Sequence, residues 1–135
     1  MPHIFISYSR DDADIMHMMR DALQENGCTT WTDEDLKRGA DDWQREIESA
    51  IETAQCLVVL LSSTAKNSPW VRRELNYAEA QEVTIYPMLA RDQVKVAVPA
   101  IVISHQRGDI RADSDSLRQK KIAEQARIVS AACCG

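Results

Sequence analysis

Glycine is scarce in this 135-residue chain, which has four, at positions 27, 39, 108 and 135. Their spacing gives neither the G-x-G-x-x-G pattern of dinucleotide-binding turns nor the G-x-x-x-x-G-K pattern of a phosphate-binding P-loop. The common glycine-rich loops through which a backbone approaches phosphate groups are therefore excluded.

The chain also lacks the spacing of a metal site. The three histidines are scattered, and none stands with a cysteine or an acid at ligand spacing, so we expect no metal ion. The cysteines form no C-x₂-C pair, and buried, reduced thiols are their simplest interpretation. These four cysteines are Cys28, Cys56, Cys133 and Cys134.

No apolar run approaches the roughly 20 residues that a membrane-spanning helix needs, and the longest covers residues 56–61. The first residues do not resemble a secretory signal. We therefore expect a cytoplasmic domain without membrane association. The net charge of −5 argues against a general nucleic-acid-binding protein.

Hydrophobic periodicity predicts alternating strands and helices along the whole chain. Strands are predicted from β-branched or continuous apolar segments at residues 3–9, 28–32, 56–61, 83–89 and 100–104. Helices are predicted from apolar residues at helical spacing over residues 13–27, 43–54, 69–82 and 117–132. Loops are predicted at residues 33–42, 62–68 and 108–115, and residues 91–98 suit either a short helix or an irregular connection.

This alternation indicates an α/β fold with a parallel sheet and helices on both of its faces. A flavodoxin-like, five-stranded sheet of order 2-1-3-4-5 satisfies it. The length fits one domain over residues 1–135, with a C-terminal helix at about residues 116–132.

Open parallel sheets bind ligands beyond the carboxyl ends of their strands, where the strand order reverses. In the predicted order this point lies between strands one and three. The loops and the helix start at that point contribute Tyr8, Ser9, Arg10, Ser62, Ser63, Trp70 and Glu74. A phosphoacceptor receiver domain is excluded, because it needs an acidic residue after strand three, where this chain has two serines.

Three segments resemble motifs of the Toll/interleukin receptor (TIR) domain family. Residues 5–9, FISYS, are similar to the family's first box. Residues 33–39, DEDLKRG, resemble the BB loop after strand two, and residues 68–75, SPWVRREL, resemble the S-x-W-x-x-x-E-L signature. The similarity covers about residues 2–111 and is closest to the bacterial branch.

The resemblance implies an activity on NAD⁺. Many bacterial and plant TIR domains cleave the nicotinamide–ribose bond and release nicotinamide with ADP-ribose or a cyclic isomer. These enzymes depend on a glutamate four residues after a helical tryptophan, and Glu74 has that position after Trp70. The expected protein is an NAD⁺ glycohydrolase or cyclase with Glu74 as catalytic residue, NAD⁺ as substrate and no cofactor.

A single carboxylate suits this reaction. Cleavage places positive charge on the ribose while nicotinamide leaves as a neutral group, so no general acid is strictly required. Ordinary glycosidases instead place two carboxylates around the bond. Trp70 and Glu74 stand at i and i+4, which puts both on one face of the predicted helix.

The other expected site residues also have structural alternatives. Arg10 could bind a phosphate through its guanidinium group or be an ordinary surface residue. Each aromatic residue of the expected site could contact the substrate or pack in the core; these residues are Tyr8, Trp43 and Trp70. The expected substrate-binding residues are Tyr8, Ser9, Arg10, Asp33, Leu36, Trp43 and Trp70.

The resemblance also implies self-association. In the family, activity usually requires stacking, and the BB loop, here residues 33–42, completes the site of a neighbouring molecule. Two alternatives stay open: a non-catalytic scaffold that assembles with other TIR domains, and a sensor that binds a nucleotide without turnover. Arg38 stands where many scaffolding relatives have proline, which argues against a receptor-signalling adaptor. The enzyme, which would serve immune defence or virulence, is the preferred interpretation.

Overall fold

The computed structural model describes residues 2–36 and 42–134. Within them a five-stranded parallel sheet has the order β2-β1-β3-β4-β5, which confirms the predicted flavodoxin-like fold. Its strands are β1 (His3–Ser7), β2 (Thr30–Trp31), β3 (Ala54–Leu61), β4 (Ile85–Leu89) and β5 (Gly108–Asp109).

The centre of the sheet is formed by β1 and β3. Their register places Ser7, the last residue of β1, opposite Val59 of β3. Residues 56–61 of β3 are buried throughout, because helices cover both faces of the sheet there. The two strands between which the sheet order reverses, β1 and β3, therefore lie at the buried centre of the sheet.

Six α-helices occur in the described residues: α1 (Ala13–Glu25), α2 (Trp43–Glu52), α3 (Ser63–Lys66), α4 (Pro69–Ala80), α5 (Val94–Ala97) and α6 (Asp115–Cys133). Alternate residues of β1 project toward different helices. Ile4 and Ile6 join the core cluster of α1 and α6, whereas Phe5 joins the cluster of α2 and α4. Ser7 follows the Phe5 alternation and so belongs to the α2–α4 face.

The helix that carries the predicted signature begins at Pro69 for local reasons. The Ser68 side chain accepts a hydrogen bond from the Val71 backbone N–H at 3.2 Å, and proline fits the first helical position. The preceding segment was predicted as a loop but contains α3. Ser62 starts that short helix by accepting from the Ala65 N–H at 3.1 Å.

The predicted fifth strand at residues 100–104 is wrong. That segment forms a single 3₁₀ turn, Ala100–Val102, and its apolar character reflects the burial of Val102 against the α2–α4 face. The observed β5 lies in the predicted loop at residues 108–115. In β5, Gly108 pairs with Met88 of β4.

The expectation of reduced cysteines is wrong for one pair. Cys28, just after α1, forms a disulfide with Cys134 at the end of α6, and their Cα atoms are 5.7 Å apart. The packing of α1 against α6 brings together residues that are 106 positions apart in the sequence. Cys56 and Cys133 are thiols.

No group of three or more histidine, cysteine or acidic residues in residues 2–36 and 42–134 is arranged to hold a metal ion. No helix in the same residues is long and apolar enough to cross a bilayer.

Candidate active site

Glu74 points from α4 toward the carboxyl end of β1. The Ser7 hydroxyl donates a hydrogen bond to Oε1 of Glu74 at 2.7 Å. Both groups are shielded from water, since Glu74 is 5% exposed and Ser7 is 1% exposed. The crevice expected between strands one and three therefore contains a buried carboxyl group.

Burial raises the pKa of Glu74 to about 8, because the charged form loses hydration. The hydroxyl of Ser7 and the side chain of Trp70 lower the pKa by hydrogen bonding, and the nearby negative charge of Asp33 raises it. A carboxyl group with such a pKa populates both protonation states near neutral pH. Strongly shifted groups in a crevice are candidates for function.

Asp33 is held beside this carboxyl group by Tyr8. The Tyr8 hydroxyl donates to Oδ1 of Asp33 at 2.5 Å. Burial and the Asp33 carboxylate raise the pKa of Tyr8 well above its usual value, so it remains a donor at physiological pH. The start of the predicted BB loop is thereby fixed to the end of β1.

The residues around Asp33 stabilise the same conformation. Thr32 and Asp35 form a reciprocal cap in which the Asp35 carboxylate accepts from the Thr32 N–H at 2.9 Å. Glu34 contacts His17 of α1 at 3.0 Å, although both side chains are largely exposed, and such pairs add little stability. The rest of the predicted BB loop, residues 37–41 with Arg38, lies outside the described residues.

Two stacked tryptophans cover the crevice next to Glu74. The rings of Trp43, the first residue of α2, and Trp70 have centroids 5.0 Å apart and planes inclined by 15°. Trp43 is 41% exposed. The cavity that these rings share with Glu74 has a volume of about 20 Å³, room for about one water molecule, so a ribose enters only if the walls move.

The remaining predicted residues lie farther out. Arg10 is exposed, and Ser9 caps the turn Arg10–Asp12 by accepting from the Asp11 N–H at 3.4 Å. No hydrogen bond or ion pair in the described part of the chain joins either residue to Glu74. Leu36 packs against the α2–α4 cluster. The structure thus brings Tyr8, Asp33, Trp43 and Trp70 around Glu74 and leaves Ser9 and Arg10 at the periphery.

Sequence reasoning missed the role of Asp12, the residue that precedes α1. Its carboxylate is fully buried, accepts from the Ser62 hydroxyl at 2.6 Å and pairs with Arg91 Nε at 2.8 Å. It thereby ties together the loops after β1, β3 and β4, and no spacing rule connects positions 79 residues apart.

The contact of Ser7 with Glu74 was also missed. Ser7 occurs in the FISYS segment but received no role. The available signal was a polar residue that ends an otherwise apolar strand at the edge where ligands were expected.

A doubly wound parallel sheet with the buried carboxyl group of Glu74 at its switch point defines a flavodoxin-like α/β domain with a candidate ligand site. The model of the TIR domain family matches residues 4–124, and the chain belongs to that family. The resemblance inferred from the three sequence motifs is confirmed.

A curated relative is an enzyme. Over 106 residues the chain is 29% identical to the 2′ cyclic ADP-D-ribose synthase BtTIR of Bacteroides thetaiotaomicron. The alignment covers 72% of this chain and 37% of that protein. The chain therefore spans little more than a third of the length of this relative.

Solved TIR domains share the fold. The TIR domain of the Toll-related receptor TRR-2 from Hydra magnipapillata has a TM-score of 0.72 at 17% identity, covering 94% of this chain and 99% of that one. The TIR domain heterodimer of RPS4 and RRS1 has a TM-score of 0.70 at 14% identity, with all of both chains covered. At these identities the likeness shows the fold alone.

Proposed function

We propose that this chain cleaves NAD⁺ at the nicotinamide–ribose bond, with Glu74 as the catalytic carboxylate. The observation that carries the proposal is the buried carboxyl group of Glu74 at the switch point, hydrogen-bonded to Ser7 and on the helix face of Trp70. A relative that synthesises a cyclic ADP-D-ribose supports a substrate of this class.

In the proposed reaction the bond between the ribose C1′ and the nicotinamide nitrogen breaks, and its electron pair leaves with nicotinamide. The ribose becomes positively charged, and the ionised Glu74 stabilises that charge where water is largely excluded. Preorganised groups of this kind contribute roughly 3–4 kcal/mol each in other enzymes. Water, or a hydroxyl group of the same nucleotide, then adds to C1′ and loses a proton, giving a linear or cyclic product.

The substrate contacts in this proposal follow the positions around Glu74. Trp43 and Trp70 offer flat apolar surfaces for the nicotinamide ring. Asp33, whose carboxylate accepts from the Tyr8 hydroxyl, would accept further hydrogen bonds from ribose hydroxyls. At the periphery, Ser9, Arg10 and Leu36 would contact the rest of the dinucleotide, with the Arg10 guanidinium suited to phosphate.

Self-association is part of the proposal because the crevice is narrow. A volume of about 20 Å³ does not admit a ribose until Trp43 or Trp70 moves. Contacts between TIR domains through residues 33–42 would stabilise an open arrangement. A TIR heterodimer among the related structures supports association of this kind. We infer that clustering activates the enzyme and that the enzyme acts in immune defence or virulence.

The same narrow crevice favours one alternative function. A TIR domain that only assembles with other TIR domains needs no space for a ribose. In that case the stacked tryptophans would be packing residues, and Glu74 would be a buried structural acid.

Incubation of the concentrated protein with NAD⁺ separates the two functions. We expect nicotinamide release, with ADP-ribose or its cyclic isomer distinguished by mass. Glu74→Gln should abolish release, whereas Glu79→Gln, which removes an exposed acid from the same helix, should retain it. An inactive wild-type protein at every concentration would support the assembly module instead, and an active Glu74→Gln variant would contradict the catalytic role of Glu74.

A further inference from the structure

Ser7 places a hydroxyl group at the end of a buried strand whose side chains are mostly apolar. It ends β1, is 1% exposed and shares a sheet face with Phe5. Its Oγ lies 2.7 Å from Oε1 of Glu74, a partner 67 residues away. The buried hydroxyl is thus directed at the carboxyl group of the candidate site.

We propose that Ser7 is a positioning residue for Glu74, whose hydroxyl holds the carboxyl group toward the crevice and stabilises its ionised form. This inference rests on the proposed function, because it assigns Ser7 a part in preparing the catalytic carboxylate. A buried acceptor that loses its donor is strongly disfavoured when it is charged. Ser7 therefore controls the fraction of molecules in which the Glu74 carboxyl group is ionised and directed toward the crevice.

The other groups that face Glu74 explain why this donor matters. Asp33, from the segment after β2, opposes ionisation, and Tyr8 directs its hydroxyl to Asp33 and not to Glu74. Glu48 of α2 and Arg73 of α4 line the small cavity between these helices that Glu74 also lines. Against the burial and the negative charge of Asp33, the donors that favour the carboxylate are the Ser7 hydroxyl and the side chain of Trp70.

A matched pair of substitutions isolates the hydroxyl group. Ser7→Thr keeps the hydroxyl donor. Ser7→Val introduces a side chain of nearly the same shape as threonine but without the hydroxyl group. The rate of nicotinamide release is measured from pH 5 to pH 10 for both variants. We expect the acid limb of the Ser7→Val profile to lie about one pH unit above that of Ser7→Thr, a loss of about tenfold at pH 7.

A titration that needs no turnover tests the same point. The side-chain carboxyl carbon of Glu74 is followed by NMR in glutamate-labelled protein and assigned by its absence from Glu74→Gln. Its midpoint should be higher in Ser7→Val than in Ser7→Thr. Equal midpoints would overturn the role of Ser7, even where nicotinamide is released. A difference in an inactive protein would support the inference about ionisation and count only against the proposed reaction.

Controls cover folding. Circular dichroism and the melting temperature are recorded for every variant, and Ser116→Ala removes an exposed hydroxyl from α6 without moving the pH profile. Should the added methyl group prevent folding of both matched variants, Ser7→Ala is compared with the wild type. An unchanged midpoint for Glu74 in that variant contradicts the proposal.

Discussion

Replacing Glu74 with glutamine should make the domain more stable at alkaline pH. The carboxyl group has a pKa of about 8 in the folded protein and an ordinary value of 4.5 when it is exposed. Above pH 4.5 the unfolded chain releases this proton, whereas the folded domain retains it until about pH 8. Because the unfolded state then binds fewer protons, folding stability falls as the pH rises through this window.

The magnitude follows from the two pKa values. Between pH 5 and pH 9 the linkage relation gives a loss of about 4 kcal/mol for one group with these values. This is a large share of the roughly 5–15 kcal/mol by which domains of this size are stable. Glutamine has nearly the same shape, can still accept from Ser7 and has no charge to bury, so Glu74→Gln escapes this loss.

Urea unfolding at pH 5 and pH 9 measures the effect. We expect the stability advantage of Glu74→Gln over the wild type to grow by about 4 kcal/mol between these pH values. Glu79→Gln, from an exposed position on the same helix, should show no such growth. An advantage for Glu74→Gln that is independent of pH would refute the reasoning, because it would mean that Glu74 ionises at its ordinary pKa.

Four further predictions concern activity and stability. Nicotinamide release should increase with pH through about 8, because the ionised form of Glu74 is the active one; a pH–rate profile that is flat from pH 6 to pH 9 would contradict this. Tyr8→Phe should lower the free energy of unfolding by about 2 kcal/mol, since Asp33 loses a hydrogen bond, and urea unfolding measures it. Reduction of the Cys28–Cys134 disulfide should cost about 4 kcal/mol for so long a loop, measured with and without a phosphine reductant, and Cys134→Ser should be insensitive to the reductant. Activity per molecule should increase with protein concentration or tethering, and a constant value from nanomolar to micromolar protein would exclude activation by clustering.

The positions of most strands and helices followed from local patterns. Continuous apolar residues marked β3, and apolar residues at helical spacing marked α4. Such patterns are readable because each element selects its residues by burial on its own periodicity. The predicted fifth strand was wrong for a related reason. Residues 100–104 are largely apolar because they belong to a turn that packs on the sheet, and this turn does not pair with a strand.

Part of the candidate site could also be predicted from the sequence. The switch-point rule and the family resemblance directed attention to Glu74 and Trp70, and the structure places the carboxyl group of Glu74 at the expected edge. The pairing of Tyr8 with Asp33 and the stacking of Trp43 on Trp70 join separate elements. Their roles in binding NAD⁺ stay predictions.

By itself the sequence determined the alternation of strands and helices, the family and the choice of Glu74, because these depend on residue types at short, regular spacing. Tertiary structure alone decided that Ser7 meets Glu74 across 67 positions, that Cys28 meets Cys134 across 106 and that the cavity beside Glu74 is small. Burial and pKa belong to the packed molecule, because they depend on which groups from distant segments exclude water from one another.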